Sequence, residues 1–149
     1  MNELKLNTIQ ILLVEDDPAD QKLVKTAFRN AKIANDLSIA GSGEDALDLL
    51  AGSGPGGPDK LRPDLILLDL NMPGMGGMEF LRRVKEDPDL ALIPVVIMTS
   101  SEAEEDIIRS YQLRVNAYIT KPVGMKEFEK VMERIEDFWL MVCKLPTKA

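Results

Sequence analysis

The chain has no histidine, a single cysteine, one tryptophan and two tyrosines among its 149 residues. Without imidazole, neither a Ser-His-Asp nor a Cys-His nucleophile can be built, a His-x-x-x-His zinc site is impossible, and there is no histidine for the chain to phosphorylate on itself. Its chemistry is confined to carboxylates, hydroxyls and lysines. Cys143 has no partner for an internal disulfide and no CxxC companion, which fits a reducing compartment. Basic residues are in the minority, 18 Lys plus Arg against 25 Asp plus Glu, for a formal charge of -7. A phosphate-backbone binder needs a clustered basic face, so nucleic acid is not expected as a partner. No apolar run approaches the ~20 residues that span a bilayer. Met1 to Gln10 contains no apolar signal-peptide stretch either. These absences set the expectation of a soluble cytoplasmic protein without a membrane partner, and the length suits one domain with one complete core.

What is present is a series of short apolar runs alternating with segments of helical period. Ile9 to Val14 reads as a buried strand that stops at Glu15, Asp16 and Asp17, and Pro18 suits the first turn of a helix presenting Leu23, Val24, Ala27, Phe28 and Ala31 on one face. Leu37 to Ala40 is a weaker strand, followed by a helix with Ala46, Leu47, Leu49 and Leu50. Asp64 to Leu70 is a third strand, and a helix from Gly77 to Asp87 presents Phe80, Leu81 and Val84. Pro94 to Met98 is a fourth strand, after which Ser101 and Glu104 have capping-box spacing for a further helix. Ala117 to Thr120 is a fifth strand, and the last helix carries Phe128, Val131, Met132, Ile135, Phe138, Trp139 and Val142. Five near-continuously apolar strands alternating with five helices predict an α/β fold, a doubly wound parallel sheet covered on both faces.

In such sheets ligands sit beyond the carboxyl ends of the strands, near the switch in strand order. Those ends carry Glu15 and Asp16, Asp69, Thr99 and Lys121, so the polar chemistry converges on one edge of the predicted sheet. Adjacent carboxylates repel one another, and binding a cation relieves the repulsion. Donors that are all oxygen favour a hard ion, and Mg2+ fits best. A carboxylate can also attack phosphorus to give an acyl phosphate, with a lysine and a hydroxyl holding the phosphoryl oxygens. Each feature alone has an ordinary structural explanation, such as a cap or a turn. Their joint occurrence at four strand ends does not.

The ordered segments ILLVEDDP, LILLDLNMPGMGG, VVIMTS and AYITKP, spread over residues 8 to 138, resemble the receiver domain of two-component response regulators, whose fold is flavodoxin-like. The resemblance implies Asp69 as phosphoacceptor, Asp16 as direct metal ligand, Glu15 as a second acid acting through water, and Asn71 as donor of a backbone carbonyl to Mg2+. It implies Thr99 as the switch hydroxyl, Tyr118 as the switch aromatic, and Lys121 as the lysine facing the phosphoryl group. Asp17 matches no role in that pattern and reads as a helix N-cap or flank. The implied partner is a sensor histidine kinase, and the implied output is a phosphorylation-dependent shift in protein contacts.

Other motifs carry less. Gly52 to Gly57 contains a literal GxGxxG, but it follows a predicted helix where a dinucleotide site follows a strand, and it reads as a surface loop. An aspartyl-phosphate hydrolase on the same fold is the competing class. A haloacid-dehalogenase-type phosphatase places a second Asp two residues after its nucleophile, where this chain has Asn71. An FMN carrier would want backbone donors where this chain supplies acids. The ending Phe138-Trp139-Leu140, with Leu145-Pro146, resembles response regulators associated with bacterial and cyanobacterial phytochromes, which implies a bacteriophytochrome kinase and a homodimer. The expected division is a receiver over residues 1–138 and a C-terminal extension over residues 139–149 that could serve dimerisation.

Overall fold

Parallel strands buried on both faces should be apolar along most of their length, and the central strands are: Ile11 to Val14, Leu65 to Leu68 and Val95 to Met98 are unbroken apolar runs. The computed structural model describes residues 8–30, 34–52, 60–99 and 117–120, together with helical positions 126, 128–130, 133, 134 and 137; for Thr99 and residues 117–120 the backbone alone is described. The elements run β1 (Ile9–Val14), α1 (Pro18–Arg29), β2 (Asn35–Ala40), α2 (Gly43–Ala51), β3 (Leu65–Asp69), α3 (Gly76–Glu86), β4 (Val95–Thr99) and β5 (Ala117–Thr120). All pairings are parallel, in the order β2-β1-β3-β4-β5. The strand order reverses between β1 and β3, which makes their carboxyl ends the switch point of the sheet.

Side chains alternate across the sheet with period two. Leu12, Val14, Ile66, Leu68, Val95 and Ile97 pack with Ala46 and Leu50 of α2 and Phe80, Leu81 and Val84 of α3. Ile9, Ile11, Leu13, Leu65, Leu67, Val96 and Met98 pack on the opposite face with Val24, Ala27 and Phe28 of α1 and with Phe128. Each Val, Leu, Ile, Phe or Met side chain so buried contributes roughly 1.5–3 kcal/mol. The doubly wound sheet expected from the sequence is therefore the observed architecture.

Strand bounds differ by small amounts with identifiable causes. β2 starts at Asn35, two residues before the expected Leu37, because Asn35 and Asp36 pair in register with Ile9 and Gln10 and the Gln10 amide donates to the Asp36 carboxylate at 2.9 Å. It lies at the sheet edge, where polar residues are tolerated. Asp64 falls outside β3 since its carboxylate accepts the Gln10 N–H at 2.9 Å, closing the amino end of the β1–β3 pair. β4 runs from Val95 to Thr99, one residue later than expected. α2 ends at Gly52 in the left-handed conformation, so the glycine-rich segment does follow a helix. The helix expected after Ser101 and the segment 139–149 lie outside the described residues.

Candidate functional site

Glu15 directly follows β1 and Asp69 closes β3, two residues beyond Leu13 and Leu67, so the period-two alternation that sends those leucines to the α1 side also sends the two acids there. Val14 pairs with Leu68, which sets the two acids beside each other at the switch point. Glu15 is fully buried and Asp69 is 3% exposed, while Asp16 is exposed. One carboxylate oxygen from each of Glu15, Asp16 and Asp69 lies within 4.8 Å of the others. Two of the three acids are thus removed from water beside like charge, an arrangement that favours a divalent cation.

The local backbone fixes these groups. The Glu15 N–H donates to the Ala40 carbonyl at 3.0 Å, the Gln21 side-chain amide donates to the Glu15 carbonyl at 2.7 Å, and the Asp17 N–H donates to Glu15 Oε2 at 3.2 Å. Asp17 is the N-cap of α1: its carboxylate accepts the Ala19 N–H at 2.8 Å, and Pro18 opens the helix. This agrees with its expected role as a cap. On the other strand the Asn71 N–H donates to Asp69 Oδ1 at 3.1 Å, an Asx-turn that orients the carboxylate as the chain leaves β3. Asn71 itself is exposed. Gly74 and Gly76, with φ of 77° and 80°, make the left-handed steps that carry the chain from this turn into α3.

The all-oxygen donor set fits a hard divalent cation. Thr99 closes β4, where it pairs with Thr120, and Tyr118 is in β5 paired with Ile97; the side chains of Thr99 and Tyr118, and all of Lys121, lie outside the described residues. The structure brings together Glu15, Asp16 and Asp69, with Asn71 bonded to the last. Gln21 was not among the expected site residues. Its signal in the sequence is weak, a polar residue one turn into an N-capped helix.

A model of the response regulator receiver domain matches residues 11–133. The chain belongs to the response regulator receiver family. Response regulator Rcp1 from Synechocystis is 44% identical over 136 residues, 91% of this chain and 92% of that protein. The crystal structure of a phosphorylated cyanobacterial phytochrome response regulator, RcpA, superposes with a TM-score of 0.81 at 41% identity, covering 89% of this chain and 94% of the other. The Mn2+-bound form of Rcp1 gives a TM-score of 0.79 at 44% identity with the same coverage. This receiver is thus similar to phytochrome response regulators, members of a signalling family and not of a family of conventional enzymes. Its acidic cluster could hold a divalent metal, and a metal-bound relative is known. Among the described residues no helix is long and apolar enough to cross a membrane.

Proposed function

We propose that this receiver accepts a phosphoryl group on Asp69 from a phosphohistidine of a partner sensor histidine kinase of the phytochrome type, with Mg2+ at the acidic cluster. The observation that supports this most directly is the meeting of Glu15, Asp16 and Asp69 at the switch point of the sheet, two of them buried. In this reading Asp16 and Asp69 hold the ion directly, Glu15 holds it through water, and Asn71 offers its backbone carbonyl. The bound ion supplies neutralising charge to the phosphoryl oxygens. An Asp69 carboxylate oxygen forms the new bond to phosphorus, the P–N bond of the phosphohistidine breaks, and the imidazole leaves with the bonding pair and takes up a proton. Lys121 balances the remaining phosphoryl charge. The Thr99 hydroxyl turns toward a phosphoryl oxygen, and Tyr118 occupies the space it leaves, shifting the population between two surface states. The acyl phosphate then hydrolyses slowly, so each transfer consumes the acceptor until water restores it.

Acetyl phosphate with Mg2+ should add the mass of one phosphoryl group, and Asp69→Asn should abolish the addition. A label carried elsewhere in Asp69→Asn would refute the acceptor assignment. Sustained turnover of small phosphomonoesters would favour the hydrolase instead. The similarity to RcpA and Rcp1 supports the phytochrome-type partner, which phosphotransfer from a purified phytochrome kinase tests. The receiver is assigned to residues 1–138 and a dimerising extension to 139–149, in the cytoplasm. A chain truncated after Asp137 should sediment as a monomer where the full chain is dimeric; a persisting dimer would move the interface elsewhere.

A further inference from the structure

Gly77 stands in the first turn of α3, where a glycine weakens the helix by about 1 kcal/mol relative to alanine. Its backbone does not have a positive φ, unlike Gly74 and Gly76, so conformational freedom does not explain it. Space does. Gly77 is buried, its N–H donates to the Leu70 carbonyl at 3.3 Å, and a Cβ at this position would lie 2.4 Å from the Asp69 carbonyl oxygen and 2.5 Å from the Leu70 Cα. Both obstacles are main-chain atoms and neither can rotate away. Neighbouring glycines differ: a Cβ on Gly43 would meet the Met75 sulfur, a flexible side-chain tip, at 3.1 Å, and one on Gly76 would meet nothing within 4 Å.

We propose that Gly77 is a positioning residue for the Asp69 carboxylate: its bare Cα lets α3 seat directly on the Asp69–Leu70 peptide and so sets where that carboxylate meets those of Glu15 and Asp16. A side chain at 77 would require α3 and the Asp69 carbonyl to separate by about 0.6 Å, from 2.4 Å to the 3.0 Å that real Cβ contacts require, by a shift of either or both. Functional constellations tolerate displacements of only ~0.5 Å. The Asx-turn from the Asn71 N–H passes the shift to the carboxylate, because it ties the side chain to the same stretch of backbone. This proposal rests on the assignment of the acidic cluster as a metal and phosphoryl site.

The test is Mn2+ binding to the full chain, read from the electron paramagnetic resonance of free Mn2+, for wild type, Gly77→Ala and Val84→Ala, with thermal unfolding in EDTA alongside. Val84 is buried in the last turn of the same helix, so its truncation destabilises α3 without touching Asp69. Wild type and Val84→Ala should bind with similar affinity. Gly77→Ala should unfold cooperatively yet bind at least about tenfold more weakly, and at saturating Mn2+ it should still be phosphorylated by acetyl phosphate more slowly than Val84→Ala. Undiminished Mn2+ affinity in Gly77→Ala would overturn the proposal. So would a Gly77→Ala chain with no cooperative transition, since the contact would then serve folding as a whole. A wild-type chain that binds no Mn2+ would overturn the site assignment itself, whatever Gly77→Ala does.

Discussion

Asp69→Asn should stabilise the metal-free protein and destabilise it relative to wild type once Mg2+ is present. The carboxylate oxygens of Glu15 and Asp69 lie within 4.8 Å of each other and both residues are buried. At an effective dielectric of about 20, two charges at that separation repel by about 3 kcal/mol. Asp16 is exposed and adds roughly 1 kcal/mol at most. Asparagine removes the charge but keeps an oxygen for the Asn71 N–H, weakening that bond by roughly 0.5–1.5 kcal/mol. The net gain in EDTA is then about 1.5–3.5 kcal/mol, a rise in Tm of roughly 3–14 °C for a chain of this size. Wild type, by contrast, gains about 4.1 kcal/mol from Mg2+ at a thousand times its dissociation constant, and Asp69→Asn forfeits most of that by losing a proposed ligand. The order of the two melting curves should therefore invert between EDTA and Mg2+. Calorimetric scans of both proteins in both buffers read it directly. A lower Tm for Asp69→Asn in EDTA, or equal Mg2+ shifts in the two proteins, would refute the reasoning.

Asp17→Ala removes the N-cap of α1 and should cost about 1 kcal/mol in chemical denaturation while leaving the Mg2+-induced rise in Tm intact; a lost Mg2+ response would make Asp17 a ligand. Phe80→Ala empties a fully buried position between α3 and the sheet and should lower stability by about 3–5 kcal/mol in a urea titration, whereas a loss below 1 kcal/mol would mean that the site collapses. At the surface of α3, hydrogen bonds first from Arg82 and then from Arg83 hold the Glu79 carboxyl down at about 2, below its ordinary 4.5. A depressed folded-state value contributes stability that is present above pH 4.5 and lost as pH falls toward 2. The small stability difference between wild type and Glu79→Gln should thus be flat from pH 5 to 8, vanish as pH falls below about 2 and shrink in high salt; a difference that survives well below pH 2 would trace to packing.

The parts of this protein that could be read in its sequence are those governed by periodicity. β1 and β5 have the bounds their apolar runs predict, because every residue of β1 from Ile11 to Val14 is buried and polar residues mark the ends abruptly. β2 was only half visible: Asn35 and Asp36 carry no apolar signal and are held by strand pairing and the Gln10 side chain, which are contacts distant in sequence. The acidic cluster was legible as three residues at two strand ends, and the burial of Glu15 against the exposure of its neighbour Asp16 follows from the same alternation carried one step past Val14. Gly77 was not legible. In sequence it sits in a glycine-rich turn and reads as a poor start to a helix; only the 2.4 Å approach to the Asp69 carbonyl gives it a purpose.

The acidic cluster is thus held from both layers of the fold. On the α1 side, Gln21 and the Asp17 N–H fix Glu15, the partner acid, through its carbonyl and its carboxylate. On the other side, α3 bears on the Asp69–Leu70 peptide through Gly77, and the same helix packs Phe80, Leu81 and Val84 into the core. A close-packed interior is not continuously deformable, so if Asp69 gains a phosphoryl group, as proposed, with its backbone held, the adjustment must be made by the groups around the carboxylate. On the proposed reading, in which Thr99 and Tyr118 form the switch, loosening the Asp69 backbone with a side chain at position 77 should blunt that response even where phosphorylation still occurs. In a Gly77→Ala protein driven to full phosphorylation with excess acetyl phosphate, the change in Tyr118 environment seen by NMR should be smaller than in wild type, and a change of equal size would show that the seat of α3 plays no part in transmitting the signal.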